Sequence, residues 1–318
     1  MSFGEIRGQD KALDRLKGSL RLGRLAGAYL FAGPQGIGKY LAARTFAKAL
    51  NCLSADNAPC DACVSCVKID KDMHPDVHCI DVGDEEIKIE HIRQLQKDIN
   101  LRPYEGKKKV FIIRNAHNLN PASAGALLKT LEEPGGNSVI VLVTEKPMML
   151  FKTIVSRCQV IKFEVLPRQE LEAVLKRDFA VGADAAHFLA YFCEGRLGRA
   201  LGLKDQDVLS EKNSVIDEFG IPASNRAGNA DISERQDLAR LLNILVAWFR
   251  DLYLMKTGIA SGGLINLDRA AELSRLKDAL TFTEIEEIFD YVSLSLSYLK
   301  HNINTKLLLA NVRCFLVR

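Results

Sequence analysis

The amino-acid sequence predicts an α/β domain with a parallel β-sheet, followed by regions built only from helices. Short apolar segments with the length of strands alternate with amphipathic helical segments through about residue 165. Alternation of this kind is typical of a parallel sheet that has helices on both faces. A glycine-rich loop joins the first predicted strand to the next helix, and beyond Pro167 the apolar residues recur at helical spacing.

Length and composition allow two or three domains with cores of their own. The chain has 318 residues, of which 47% are hydrophobic, and its formal net charge is +3. A charge this small gives no argument for nucleic-acid binding by itself. No segment reaches the length of a membrane span and the first residues lack the pattern of a signal peptide, so we expect a soluble, cytoplasmic protein without membrane contact.

The elements of the α/β domain follow one another in a regular order. A first helix is predicted over residues 9–24, because Leu13, Leu16 and Leu20 share one face. Strands are predicted where apolar residues run without interruption, at 28–32, 77–81, 110–114, 139–143 and 159–163. These elements assign the first domain to residues 1–166.

Three further segments complete the predicted organisation. Residues 167–206 are expected to form a small helical domain. Residues 207–232 are polar and rich in turn-forming residues, which predicts a linker. Residues 233–318 are expected to form a second helical domain, with helices near 234–256, 268–279, 283–300 and 303–316.

The loop after the first strand has the pattern of a phosphate-binding loop. Residues 33–40 match G-x-x-x-x-G-K-[ST] at every position except the last. Glycines let backbone N–H groups approach phosphate oxygens, and here these are Gly33, Gly36 and Gly38. The Lys39 ammonium would reach the β- and γ-phosphates. A glycine-rich turn without a phosphate ligand is the alternative.

Two positions that should serve a magnesium ion have lost the necessary side chains. The eighth loop position should supply a small hydroxyl, but Tyr40 puts a ring in the space of the metal. The strand at 110–114 should end in acids, but it ends in Arg114 and Asn115. We therefore expect no Mg²⁺ here and no hydrolysis of nucleotide.

Four cysteines lie within fifteen residues in the spacing C-x7-C-x2-C-x2-C, namely Cys52, Cys60, Cys63 and Cys66. Four thiolates in a reducing compartment suit one tetrahedral Zn²⁺, and the polar residues between them are poorly suited to form a core unaided. An iron–sulfur cluster is the sharper alternative, although the fourth cysteine of that pattern, followed by proline, is missing. Thiols without a metal are the other alternative.

Together these features resemble the clamp-loader branch of the AAA+ proteins, whose members act in bacterial DNA replication. The resemblance covers nearly the whole chain and is most specific over residues 28–160. It rests on the loop at 33–39, the four-cysteine insertion, and the segments His74-Pro75-Asp76-Val77, 87–95, 127–134 and Ser156-Arg157-Cys158. The implied fold is a P-loop domain with a zinc-binding insertion, a helical lid and a helical collar.

The resemblance also implies roles for single residues and for partners. In this family the arginine at the position of Arg157 is a finger that reaches the ATP site of a neighbouring subunit. Thr144 and Arg199 match the positions of two nucleotide sensors. The collar would assemble a ring of five with the delta and gamma or tau subunits. Through that ring the chain would serve the sliding clamp, primer-template DNA and the polymerase holoenzyme.

The losses at Tyr40, Arg114 and Asn115 favour a stator-like subunit that does not hydrolyse ATP, and they leave ATP binding itself open. An ATP-hydrolysing subunit with a non-standard metal site is the alternative within the family. A free-standing zinc module that binds nucleic acid fits poorly, because the cysteines lie inside the first α/β unit. The basic run Lys107-Lys108-Lys109 is either a solvated turn or a DNA contact.

Overall fold

The computed structural model of this protein describes residues 2–54, 58–220, 235–258, 263–299, 301 and 303–316. It divides the chain into two units. The first consists of residues 1–166 together with 196–199, and the second of residues 167–195 together with 200–318. Among the helices within these described ranges, none is long and apolar enough to cross a bilayer.

A five-stranded parallel sheet forms the centre of the first unit. Its strands are β1 (Ala28–Ala32), β2 (Val77–Ile80), β3 (Lys109–Ile113), β4 (Ser138–Thr144) and β5 (Gln159–Lys162). They lie in the order β2-β3-β4-β1-β5, and all pairings are parallel. Every predicted strand is present within two residues of its expected bounds, and the predicted fold class is confirmed.

Helices cover both faces of this sheet. They are α1 (Asp10–Arg21), α2 (Lys39–Asn51), α3 (Val64–Asp70), α4 (Ile89–Ile99), α5 (Pro121–Glu132) and α6 (Lys152–Val155). Side chains alternate between the faces along each strand, so Tyr29 and Phe31 pack in the cluster that contains α1 and α2. Leu30 points the other way and packs with residues of α4 and α5. The two cores explain why β1, β3 and β4 are buried along their whole length.

Parallel strands bring residues from distant parts of the first unit to one edge of the sheet. Gly33 directly follows β1, Arg114 directly follows β3 and Thr144 is the last residue of β4, and these strands are neighbours in the order above. Ligands of open α/β sheets bind at this carboxyl edge. The residues that the phosphate-binding and metal patterns single out are therefore brought into one region.

The second unit consists of helices, as predicted. They are α7 (Arg168–Phe179), α8 (Ala183–Phe192), α10 (Val208–Phe219), α11 (Arg235–Lys256), α12 (Ala270–Ala279), α13 (Phe282–Tyr298) and α14 (Thr305–Leu316). Helix α9 (Leu197–Lys204) begins within residues of the first unit and ends in the second. The expected division of this unit into lid and collar stays a prediction.

The predicted linker over 207–232 is wrong for its first half, which is helix α10. Its apolar residues recur at helical spacing and are buried, namely Val208, Val215, Ile216 and Phe219. The indole Nε1 of Trp248 in α11 donates to the carbonyl of Gly220 at 2.9 Å, which ties the end of α10 to the longest helix described here. Charged residues interrupt this apolar stripe and conceal it in the sequence. Residues 221–232 lie outside the described part of the chain.

Candidate functional site

The phosphate-binding loop lies between β1 and α2. The backbone N–H of Gly33 donates to the carbonyl of Thr144 at the end of β4, at 3.3 Å. A Cβ atom at Gly33 would lie 2.3 Å from the carbonyl oxygen of Phe163, so only glycine fits between the neighbouring strands. Gly38 has a φ of 93° directly before α2, a left-handed conformation that glycine adopts without steric cost. The local backbone thus has the shape that the motif predicts.

The ammonium of Lys39 bonds to its own loop. Lys39 Nζ donates to the carbonyl of Pro34 at 2.5 Å, and the residue is only 7% exposed. Burial lowers the pKa of Lys39 from 10.5 to about 8, although the Glu145 carboxylate nearby opposes the shift. The lysine that the motif assigns to phosphate therefore has a backbone carbonyl as its partner here.

The first residues of α9 contact the same loop through their backbone. The N–H of Gly198 donates to the carbonyl of Gly36 at 2.6 Å, and a Cβ at Gly198 would lie 2.7 Å from that oxygen. A Cβ at Gly36 would lie 3.1 Å from the backbone nitrogen of Arg199. The segment for which the resemblance implies a sensor is thus in direct contact with the loop.

Thr144 is buried at the end of β4, beside the loop. Its Oγ1 accepts from the N–H of Lys146 and contacts Nδ1 of His117, each at 3.1 Å. Burial lowers the pKa of His117, so the neutral ring is favoured. The sequence analysis did not single out His117, which follows β3 by four residues, and a search for polar residues after each strand would have found it.

The two positions that should hold Mg²⁺ contact each other. The guanidinium carbon of Arg114 lies 4.4 Å from the ring centre of Tyr40. Arg114 also pairs through Nη1 with the carboxylate of Asp81, which follows β2. Burial, with a smaller effect of Cys79, raises the pKa of Tyr40 to about 12, so the phenol stays neutral. Asn115 donates from Nδ2 to the carbonyl of Gly83 at 2.8 Å.

These contacts do not fit a magnesium site. A ring occupies the place of the small hydroxyl, and a cation occupies the place of the first acid. Mg²⁺ requires oxygen ligands in an octahedral arrangement, whereas a guanidinium offers only N–H donors and repels the ion. The Asp81 carboxylate beside this position is already paired with Arg114.

The four cysteines form a compact cluster at the end of α2 and the start of α3. The Sγ atoms of Cys52, Cys60, Cys63 and Cys66 all lie within 4.8 Å of one another. The Cys52 and Cys63 sulfurs are 4.0 Å apart, close to the roughly 3.8 Å that a tetrahedral Zn²⁺ with 2.3 Å bonds requires.

Backbone N–H groups surround the same sulfurs. Cys52 Sγ accepts from the N–H groups of Ser54 and Cys60 at 3.4 Å, and Cys60 Sγ accepts from that of Cys63 at 3.3 Å. N–H donors of this kind stabilise the negative charge of thiolate ligands and orient them. The donor set therefore fits a metal ion such as zinc.

Arg157 lies at the amino ends of the parallel strands, whereas the phosphate-binding loop lies at their carboxyl ends. It follows α6 and precedes β5, whereas the loop follows the carboxyl end of β1, with which β5 pairs. The four residues of β5 alone separate these two sides by about 13 Å at 3.3 Å per residue. The Arg157 guanidinium bonds instead to Glu132 at the end of α5, at 2.6 Å from Nη2.

Comparison with known proteins identifies the family. Residues 8–167 match the family model described as DNA polymerase III, delta subunit, and residues 230–312 match the model for the C terminal part of that subunit. The chain belongs to the clamp-loader subunits of DNA polymerase III. It is thus a component of the DNA replication machinery.

Individual relatives divide between two subunit types. The delta-prime subunit of Bacillus subtilis is 33% identical over 223 residues, which cover 70% of this chain and 67% of that protein. The tau subunit of Escherichia coli is 37% identical over 220 residues, which cover 67% of this chain and only 34% of that protein. This clamp-loader subunit therefore spans about a third of the tau subunit that it matches.

A solved structure agrees with the fold. The gamma subunit-related protein of Thermotoga maritima has a TM-score of 0.50 at 20% identity, covering 95% of this chain and 98% of that one. The likeness extends over both units of the clamp-loader subunit. At this level of identity it shows the fold alone.

The three lysines of the basic run in the clamp-loader subunit donate hydrogen bonds to backbone carbonyls of the same unit. The ammonium groups of Lys107, Lys108 and Lys109 donate to the carbonyls of Cys52, Gly136 and Asp98 at 2.5, 2.8 and 3.1 Å. The run therefore links the start of β3 to three other parts of the unit: the cysteine module, the turn before β4 and the end of α4. The sequence analysis left this run as a solvated turn or a DNA contact; these bonds give it a structural role, and the DNA contact stays a prediction.

One buried carboxylate organises the turn before this run. Asp76 accepts the backbone N–H groups of Tyr104, Glu105 and Gly106 at 2.7 to 2.9 Å. Burial alone would raise the pKa of Asp76, but these donors outweigh it and hold the pKa below its ordinary value. The His74-Pro75-Asp76 segment is a family mark in the sequence, and this contact gives it a structural role.

Proposed function

We propose that this chain is a delta-prime-type clamp-loader subunit that does not hydrolyse ATP and that donates Arg157 in trans to a neighbouring ATPase subunit. The observation that carries the proposal is the contact between Arg114 and Tyr40, 4.4 Å from guanidinium carbon to ring centre. It fills both halves of the site at which a motor subunit of this fold would hold Mg²⁺.

The chemistry of phosphoryl transfer explains why this contact matters. The metal neutralises charge on the transferring phosphoryl group, and an oriented water attacks it. Arg114 would stabilise negative charge but cannot polarise water, and its own charge excludes the metal. Lys39, Thr144 and Arg199 could still contact a nucleotide, so loss of hydrolysis does not require loss of binding.

The position of Arg157 supports its action on another subunit. The length of β5 separates it from the loop of its own chain, so its guanidinium cannot reach a phosphate bound there. Its side chain is partly exposed, and it lies between α6 and β5, at the side of the sheet where the parallel strands begin. A neighbouring subunit that presents its nucleotide to this side would receive the guanidinium.

We further propose that the cysteine cluster binds one Zn²⁺ with a structural role. The four thiolates would hold it, and Lys107 attaches the module to the α/β unit through the Cys52 carbonyl. Four protein ligands leave no open position, which is typical of structural rather than catalytic zinc.

The partners follow from the family. We propose that the chain assembles with delta and gamma or tau subunits in a ring of five, and that the ring loads the sliding clamp onto primer-template DNA for the polymerase holoenzyme. Membership in the clamp-loader family supports these partners.

An ATP-hydrolysing gamma- or tau-type subunit is the second candidate, because tau relatives are as similar in sequence as the delta-prime relative. ATP turnover by the isolated chain separates the two. We expect none above background at saturating Mg²⁺ and ATP. Turnover that Lys39→Ala abolishes would establish the hydrolysing subunit instead.

A further inference from the structure

The guanidinium of Arg157 is held in one orientation by two acceptors. Its Nε and Nη2 both donate to Oε1 of Glu132, at 3.0 and 2.6 Å. Its Nη1 donates to the backbone carbonyl of Thr153 in α6, at 3.0 Å. The two acceptors belong to two different helices, α5 and α6, so both helices set the orientation of the guanidinium.

This arrangement leaves donors for a further ligand. A guanidinium carries five N–H groups, and three of them make the bonds to Glu132 and Thr153. One N–H on Nη1 and one on Nη2 remain, and no acceptor for them lies among the residues that the structure describes. A phosphate oxygen could bond to these terminal nitrogens while Glu132 keeps its place on the Nε side.

Stability does not account for the pair. The side chains of Arg157 and Glu132 are 35% and 52% exposed, and ion pairs this exposed contribute little to the free energy of folding. Orientation accounts for it better, because a free arginine side chain must lose rotamer freedom at the moment when it meets the phosphoryl group.

We propose that Glu132 is a positioning residue for Arg157, which it holds with two terminal N–H groups turned toward the nucleotide of a neighbouring subunit. This inference rests on the proposed function, since it requires that Arg157 acts in trans. Glu132 does not touch the nucleotide. Its effect is on the fraction of complexes in which the guanidinium is aligned when the phosphoryl group transfers.

The test uses the reconstituted clamp loader with its ATPase subunits, sliding clamp and primed DNA. Glu132→Ala in this chain should lower kcat for DNA-stimulated ATP hydrolysis by about tenfold. KM for ATP should stay unchanged, because the residue does not contact the nucleotide. Glu132→Gln should recover part of the rate, since its amide oxygen can accept the same two N–H groups. Glu133→Ala removes the adjacent exposed carboxylate and is the matched control, with the rate of the wild type.

Combining the variants distinguishes positioning from other roles. The double variant with Glu132→Ala and Arg157→Ala should be no slower than Arg157→Ala alone, because the residues act as one unit. An unchanged or higher rate for Glu132→Ala, with Arg157→Ala still slow, would overturn the positioning role and leave the trans finger intact. If Arg157→Ala is itself at the wild-type rate, the proposed trans function fails, and this inference fails with it.

Discussion

The guanidinium of Arg114 stacks on the ring of Tyr40, with 4.4 Å between the guanidinium carbon and the ring centre. The two residues are far apart in sequence, and each replaces a residue that a motor subunit of this fold uses to hold Mg²⁺. Because the two substituted side chains contact each other, the two missing halves of the metal site form one structural feature. The ion pair between Arg114 and Asp81 belongs to the same feature. A change at one position alone should therefore not restore a metal site.

We expect the Tyr40→Thr variant to stay inactive as an ATPase, because Arg114 still excludes the metal. A triple variant with Tyr40→Thr, Arg114→Asp and Asn115→Glu restores both sets of oxygen ligands. Its affinity for ATP should rise by about tenfold when Mg²⁺ is added, while the affinity of the wild type should not depend on Mg²⁺. Nucleotide titration by calorimetry measures both, and a Mg²⁺ response in Tyr40→Thr alone would contradict this account.

The cysteine module should contain about one equivalent of Zn²⁺ per chain when the protein is made without added zinc. Cys63→Ser should lose the metal, expose the module to limited proteolysis and lower solubility. Cys314→Ser removes an exposed cysteine outside the cluster and is the control. Metal-free wild-type protein with the same protease resistance as Cys63→Ser would rule out a zinc site.

Arg157→Ala in the assembled clamp loader should lower DNA-stimulated ATPase and clamp loading by at least about tenfold, which is less than the roughly 10³–10⁵ of arginine fingers in general because other fingers act in the same ring. Assembly should be unchanged, since the side chain is partly exposed. Arg157→Lys should recover little, because an ammonium cannot reproduce the forked donors. Arg177→Ala, at an exposed arginine of α7, is the control. Gel filtration and steady-state rates are the measurements.

Lys39 should make stability depend on pH in the alkaline range. Its pKa is about 8 in the folded chain against an ordinary 10.5, so its burial penalty is complete below pH 8 and is relieved as pH rises to 10.5. Lys39→Met should therefore be more stable than the wild type at pH 7, by about 1–2 kcal/mol after solvent screening. Thermal unfolding between pH 7 and 10.5 should show the difference shrinking, and a constant difference would contradict it. Lys71→Met is the control at an exposed lysine.

Asp76→Asn should lower the free energy of unfolding by about 1–3 kcal/mol, because its amide group cannot accept all three backbone donors. The amides of residues 104–106 should then exchange hydrogen faster, which mass spectrometry can follow. The pKa of Asp76 is held low in the folded chain, so its contribution is present at neutral pH and is lost as pH falls through that value. The variant and the wild type should therefore converge in stability in acid, and a difference that persists there would speak against the hydrogen-bond role.

The sequence was sufficient wherever structure depends on a local pattern. All five strands and the helix after the phosphate-binding loop follow from runs and periods of apolar residues, which report burial directly. The loop and the cysteine cluster have fixed spacings, so their members are brought together by the chain itself. The predicted linker was wrong at α10, because charged residues interrupt an apolar stripe that becomes evident only when Trp248 packs at its end.

Contacts between distant segments were decided by the tertiary structure alone. The sequence singled out Tyr40 and Arg114 as two losses, and the family resemblance predicted that Arg157 is an arginine finger. It did not show that Tyr40 and Arg114 touch, or that Glu132 holds Arg157. Those contacts depend on the strand order β2-β3-β4-β1-β5, because this order determines which strands, and therefore which of the loops at their ends, are neighbours. Apolar periodicity specifies which face of each strand is buried, but the order of the strands comes from packing the whole sheet against its helices, and a one-dimensional pattern does not contain it.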